Sequence, residues 1–130
     1  MNLVLIDTSS WVQFFRDGRA ADAVSTLVEN NSACISGVIT AELLSGARTK
    51  RDFDSLRDLL DPLTFLSETK QVFSLAGELR YKMNRKGFTA GLPDAIIAAT
   101  ALHYDAGILT LDKHFNEIAK HVPIKLIFDY

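Results

Sequence analysis

The sequence predicts an α/β domain: a central, mostly parallel sheet of four to five short strands, with helices packed against it. Three observations carry this expectation. Leu3 to Ile6 is a continuous apolar run, as in a strand buried on both faces. Further short strand-like runs alternate with stretches of helical period, which implies parallel strands joined through helices. The 130 residues are 48% apolar and 23% charged, ordinary for one globule able to bury a substantial core. Residues 1–130 therefore read as a single domain, with no internal repeat or low-complexity tract.

In order, the strand at Leu3 to Ile6 is followed by Asp7, with Thr8, Ser9 and Ser10 available as helix caps. Trp11, Phe14 and Phe15 repeat at i, i+3 and i+4, the stripe of a short helix, which Arg16, Asp17 and Gly18 break. Ala20 to Glu29 is a second helix ended by Asn30 and Asn31, and Ala33 to Ser36 a second strand. Gly37 leads into a helix from Val38 to Ala47. On its wheel Glu42 falls between Val38 and Ile39, on an apolar sector, or is an edge glutamate that snorkels to water, with Gly46 one turn later where a backbone could approach closely. Arg48 to Asp61 is a further helix with Phe53, Leu56, Leu59 and Leu60 inward, ended by Pro62. A weak strand at Leu63 to Leu66 precedes a clear helix whose stripe is Val72, Leu75, Ala76, Leu79 and Met83. The other side of that helix carries Arg80, Lys82, Arg85 and Lys86 before Gly87 ends it, the densest basic cluster in the chain. A solvated face is the default explanation of such a cluster, and RNA contact the alternative.

The stretch from Leu92 to Asp112 organises the rest. Pro93 suits a first helical turn, where the donor it lacks has no partner. Ala95 to Leu102 is apolar or small all round, so this helix is buried. Asp105, Ala106 and Gly107 supply a stop, and Ile108 and Leu109 a short buried strand ending in Thr110, Leu111 and Asp112. Asp112 to His121 is a short helix with Phe115, Ile118 and Ala119 inward, and Ile124 to Phe128 the last strand.

Composition excludes several classes. No apolar run nears the roughly 20 residues that span a bilayer, and no basic segment precedes a long apolar one, so neither a membrane span nor a signal peptide is expected. Cys34 is the only cysteine, which leaves no internal disulfide or zinc spacing and suits a reducing cytoplasm. A net charge of −2 argues against gripping nucleic acid by bulk charge, but not against a nuclease whose acids are gathered in one place.

Such a gathering is expected. Open parallel sheets form sites at the carboxyl ends of their strands, near a switch in strand order. Asp7 and Asp112 each follow a strand, Asp94 begins a buried helix, and Glu42 lies one turn inside another. Taken singly, Asp94 is a favourable first-turn acid and Asp112 a cap. Together the four could meet, and carboxylates at about 4 Å repel by about 4 kcal/mol at an effective dielectric near 20. Shared protons or a divalent cation relieve that, and oxygen ligands suit Mg²⁺ or Mn²⁺. His103, His114 and His121 show no ligand spacing and read as structural or surface residues.

LVLIDTSSWV, Glu42 within ITAELLSGA, LPDAIIAATAL and GILTLDKHF, in that order, resemble the PIN domain and specifically the VapC toxin ribonucleases of type II toxin–antitoxin systems. The resemblance covers essentially the whole chain. It implies a PIN-like three-layer α/β/α sandwich and a metal-dependent endoribonuclease. Asp7, Glu42, Asp94 and Asp112 would be the catalytic acids that bind Mg²⁺ or Mn²⁺, with Thr8 or Ser9 and Thr110 orienting them. It also implies an RNA substrate, a homodimer and a VapB-type antitoxin that blocks the acidic pocket. Some members carry a further acid after the fourth; here Asn116 and Glu117 are nearby and neither is assigned to metal. A receiver-type signalling domain would need an acidic pair after the first strand, where only Asp7 stands. An aspartyl-nucleophile phosphatase would need an acid where Ser9 stands. A PIN fold kept as a binding module without catalysis is the remaining alternative.

Overall fold

The computed structural model describes residues 2–127. Its elements follow the expected order: β1 (Val4–Ile6), α1 (Thr8–Phe15), α2 (Ala21–Glu29), β2 (Ala33–Ser36), α3 (Gly37–Ser45), α4 (Lys50–Leu60), β3 (Thr64–Leu66), α5 (Lys70–Arg85), α6 (Leu92–His103), β4 (Gly107–Leu109), α7 (His114–Ala119) and β5 (Lys125–Ile127). Phe128, expected in the last strand, lies outside the described residues.

The five strands form one sheet in the order β3-β2-β1-β4-β5, and every neighbouring pair is parallel. Leu5 sits in the middle of the register, opposite Cys34 on one side and Ile108 on the other. The chain therefore builds outward from β1 through β2 to β3, then returns to the far side of β1 for β4 and β5. That reversal is the switch in strand order, and it lies between the ends of β1 and β4. Those two ends are tied together by the Asp7 N–H, which donates to the Leu109 carbonyl at 2.9 Å.

Every residue of β1, β2 and β4 is buried, consistent with strands covered on both faces. A Cβ on Gly107 at the start of β4 would stand 2.7 Å from Ile127 Cδ1 on the neighbouring strand, so a larger residue there would push the end of that side chain aside. α6 is the buried helix its composition predicts: Ala95, Ile97, Ala98, Ala99, Thr100 and Ala101 are all inside, with Pro93 in the first turn. It packs against α5 and α3. Non-glycine residues close several turns in the left-handed region, among them Asp17, Asn31 and Asp105 with φ between 53° and 58°. These acid and amide residues tolerate that conformation better than most.

Several local expectations are corrected. Asp7, not Thr8 to Ser10, is the N-cap of α1, and the three hydroxyl residues lie inside its first turn. Leu59 is exposed at 36%, on the open side of α4. Gly46 meets nothing closer than its own helix's carbonyls, at 3.5 and 3.6 Å, so no neighbouring backbone requires it. Arg80 does not share the solvated face of α5: it is half-buried, and its Nε donates to the Ala90 carbonyl at 2.9 Å.

Candidate active site

Asp7 ends β1 in an extended conformation and is 5% exposed. Its side chain does not cap α1; it turns towards β4 instead. Its Oδ2 accepts from Thr110 Oγ1 at 2.9 Å and from Ser9 Oγ at 3.1 Å. Ser9 Oγ in turn accepts the Leu111 N–H at 2.9 Å, and Thr110 Oγ1 accepts the Asp112 N–H at 3.0 Å. Ser9 and Thr110 thus form a bridge that locks the first acid to the segment carrying the last. Burial pushes the Asp7 carboxyl above its ordinary value. The Thr110 hydroxyl, the Thr8 amide and the Ser9 hydroxyl pull it down, and the charge of Asp112 adds to the rise.

Asp94 projects from the first turn of α6 with its side chain 23% exposed. Its carboxyl is pushed from 3.8 to about 6, first by burial, then by the charges of Asp112 and Asp7. His114 opposes the rise and Glu42 adds to it. All three other acids are therefore felt at this one carboxyl, which is the convergence the sequence predicts. Asp112 is not the N-cap of α7, which is Lys113, but its Oδ1 accepts the His114 N–H at 2.9 Å.

Glu42 follows the second of its two expected readings: it is exposed at the edge of α3, and its Oε1 accepts from Thr8 Oγ1 at 2.9 Å. It stands at one end of a groove of about 520 Å³ whose apolar walls include Val12, Phe15, Leu43, Leu56 and Leu59. Thr8, Ser9 and Thr110 each contact an acid, as the resemblance implies.

Two residues were not anticipated. Glu68 follows β3, and its two carboxylate oxygens accept the Gly37 and Val38 N–H groups at 2.9 and 2.7 Å. The first turn of α3, the helix that carries Glu42, is held from outside by this acid. His114 corrects the reading of the histidines as bystanders: its Nδ1 lies 3.3 Å from Asp112 Oδ1 and 3.9 Å from Asp94 Oδ2. Glu117 pairs with Lys120 at 2.9 Å and takes no part in the cluster.

The donor set suits a divalent cation. Asp94, Asp112 and His114 each offer one ligand atom, all within 4.8 Å of one another. Asp7 stands close enough to raise the Asp94 carboxyl electrostatically. On the basic helix, Lys82 is paired with Glu78 at 2.9 Å, and Arg85 lies over the Tyr81 ring at 5.8 Å.

Fold and site together define a class: parallel-sheet domains whose acids gather at the switch in strand order. Comparison with known proteins gives the class its name. The sequence profile of the PIN domain matches residues 4–121. Ribonuclease VapC11 of Mycobacterium tuberculosis is 33% identical over 124 residues, spanning 91% of this chain and 92% of that protein. Among solved structures, DNA-bound VapBC from Salmonella typhimurium superposes with a TM-score of 0.81 at 22% identity, over 98% of each chain. VapBC2 from Rickettsia felis, bound to a DNA fragment from its promoter, gives 0.80 at 22% identity, over 98% of this chain and 99% of that one. The chain belongs to the PIN-domain family, and within it to the VapC ribonucleases.

Proposed function

We propose that this chain is a metal-dependent endoribonuclease, the toxin of a type II toxin–antitoxin pair. The observation that supports this best is the Asp94 carboxyl, raised to about 6 by burial and by three other acids around it. Such crowding is tolerated where a cation is bound in use. Asp7, Asp94 and Asp112 would hold Mg²⁺ or Mn²⁺, with Glu42 completing the acidic rim. When bound, the cation activates an attacking water and neutralises charge developing on a phosphodiester. The remaining work falls to the chain's own side chains. Thr110 and Ser9 fix the Asp7 carboxylate by donating to it, and Thr8 holds Glu42 towards the cluster. The buried α6 fixes the position of Asp94, so its carboxylate is preorganised by the core. The receiver-type alternative would need a phosphoacceptor Asp after β3, and the acid there is Glu68, with both oxygens on backbone amides.

The partner in this reading is a VapB-type antitoxin, with an apolar segment in the groove beside Glu42 and an acid-blocking tail beyond it. Residues 1–130 act as one PIN domain, the assembly is a homodimer and the compartment is the cytoplasm. Among the described residues, no helix is long and apolar enough to cross a membrane. Cleavage of labelled RNA by purified Asp94→Asn tests the site: near-complete loss of Mg²⁺- or Mn²⁺-dependent cleavage is expected. Cleavage at the wild-type rate would remove Asp94 from the mechanism, and a wild type that cleaves no RNA with either metal would leave a binding module.

A further inference from the structure

His114 opens α7 two residues after Asp112 and is 76% exposed. We propose that His114 is a nitrogen ligand to the divalent cation held by Asp94 and Asp112, and that it biases the site towards Mn²⁺ over Mg²⁺. This rests on the metal-dependent reading above and assigns the cluster a ligand that the four acids alone do not supply.

The first argument is chemical. The imidazole Nδ1 faces Asp112 Oδ1 at 3.3 Å and Asp94 Oδ2 at 3.9 Å. An unprotonated ring nitrogen and two carboxylate oxygens are all acceptors. Three such atoms come together only around a proton, carried by the ring nitrogen or by a carboxyl, or around a metal ion. An ion pair at so exposed a ring contributes little, so it gives the arrangement little to hold it. A cation shared by the three groups relieves all of them at once.

The second argument is spatial. The three ligand atoms lie within 4.8 Å of one another. An octahedral ion with bonds near 2.1 Å separates adjacent ligand atoms by about 3 Å and opposite ones by about 4 Å. The two observed separations from Nδ1 fall in that range. The Asp112 carboxylate also accepts the His114 N–H, so ring and carboxylate start from one fixed turn.

The metal bias follows from the donor. Mg²⁺ takes oxygen ligands and retains its waters, whereas an imidazole suits transition metals. Removing the ring should therefore cost Mn²⁺ more than Mg²⁺.

The test uses the full chain, with Mn²⁺ titrated by electron paramagnetic resonance and Mg²⁺ by competition, in wild type and His114→Ala. Loss of a residue that only supports a metal ligand already costs 10–100-fold in affinity. Loss of a direct ligand should thus weaken Mn²⁺ by at least about tenfold, with a clearly smaller loss for Mg²⁺. Pulsed spectra of bound Mn²⁺ should show nitrogen coupling in wild type and none in His114→Ala. Mn²⁺ binding without nitrogen coupling, or an equal loss for both metals, overturns this proposal and leaves the acidic site standing. A wild type that binds neither metal overturns both.

Discussion

Replacing Asp94 by Asn should stabilise the metal-free protein at neutral pH. The carboxyl moves from 3.8 to about 6 on folding, and the native state therefore holds its proton more tightly than the unfolded chain. The associated penalty is absent below 3.8, grows as pH rises towards about 6, and is complete above that. At full strength the difference is worth about 3 kcal/mol. The side chain is still partly solvated, so screening reduces this to about 1–2 kcal/mol. The first-turn position on α6 works in the other direction, since the helix N-terminus favours a negative charge by about 0.3–1 kcal/mol. A net gain of about 1 kcal/mol remains, or about 3–5 °C in melting temperature for a domain of this size. Melts of wild type and Asp94→Asn in EDTA at pH 7.5 should show that gap, and it should close at pH 3.5, where both states of the wild-type residue are protonated. Added Mn²⁺ should raise the wild type by about 2.7 kcal/mol at a hundredfold excess over Kd, and the ligand-deficient mutant by less. Equal melting at pH 7.5, or a wild type that is the more stable in EDTA, would refute the claim that burial and the neighbouring acids together penalise the charged Asp94 carboxylate.

Three other outcomes are expected. Glu68→Ala strips the partner from two amides at the start of α3, and denaturant unfolding should show a loss of about 2 kcal/mol, with weakened Mn²⁺ binding because that helix carries Glu42. Neutralising Lys82 and Lys86 together should flatten the salt dependence of RNA binding, by about 0.7 in log–log slope per lost contact, with turnover at saturating RNA little changed; an unchanged slope leaves α5 with a merely solvated face. Phe15 is 46% exposed and stacks on the buried Trp11 with ring centroids 6.0 Å apart, so Phe15→Ser should weaken self-association in sedimentation at micromolar concentration. A wild type that sediments as a monomer, unchanged by that substitution, would exclude the homodimer through this helix.

The strands and buried α6 were legible because their signals are local: continuous apolar runs, and a helix without a polar side. Asp7, Asp94 and Asp112 were legible for a related reason, since the ends of parallel strands and the starts of buried helices have a known place in such a sheet. For Glu42 the sequence leaves two readings, an apolar sector or an edge residue reaching water, and the structure takes the second. A helical wheel orients a residue around its own axis and does not say where neighbouring helices leave a groove open. Arg80 was misread because its partner, the Ala90 carbonyl, belongs to the loop that follows the helix. The role of Glu68 has no local signal, since its contacts lie 30 and 31 residues back in the chain. His114 gave no spacing signal, because its relation to Asp94 depends on how α7 leaves β4 and on the depth of α6.

The central place of β1 has a bearing on how the protein is made. The first strand to be synthesised is completed on one side by β2 within some thirty residues, but its other neighbour, β4, arrives only at Gly107–Leu109. The bridge from Asp7 to Thr110 spans 103 positions, which at about 5–20 residues per second takes about 5–20 s of translation. Until then the growing chain carries Asp7, Glu42 and Asp94 without the strand that brings Asp112 beside them. On the function proposed above, the site is incomplete for most of the chain's synthesis, and chains abandoned before β4 never assemble the cluster.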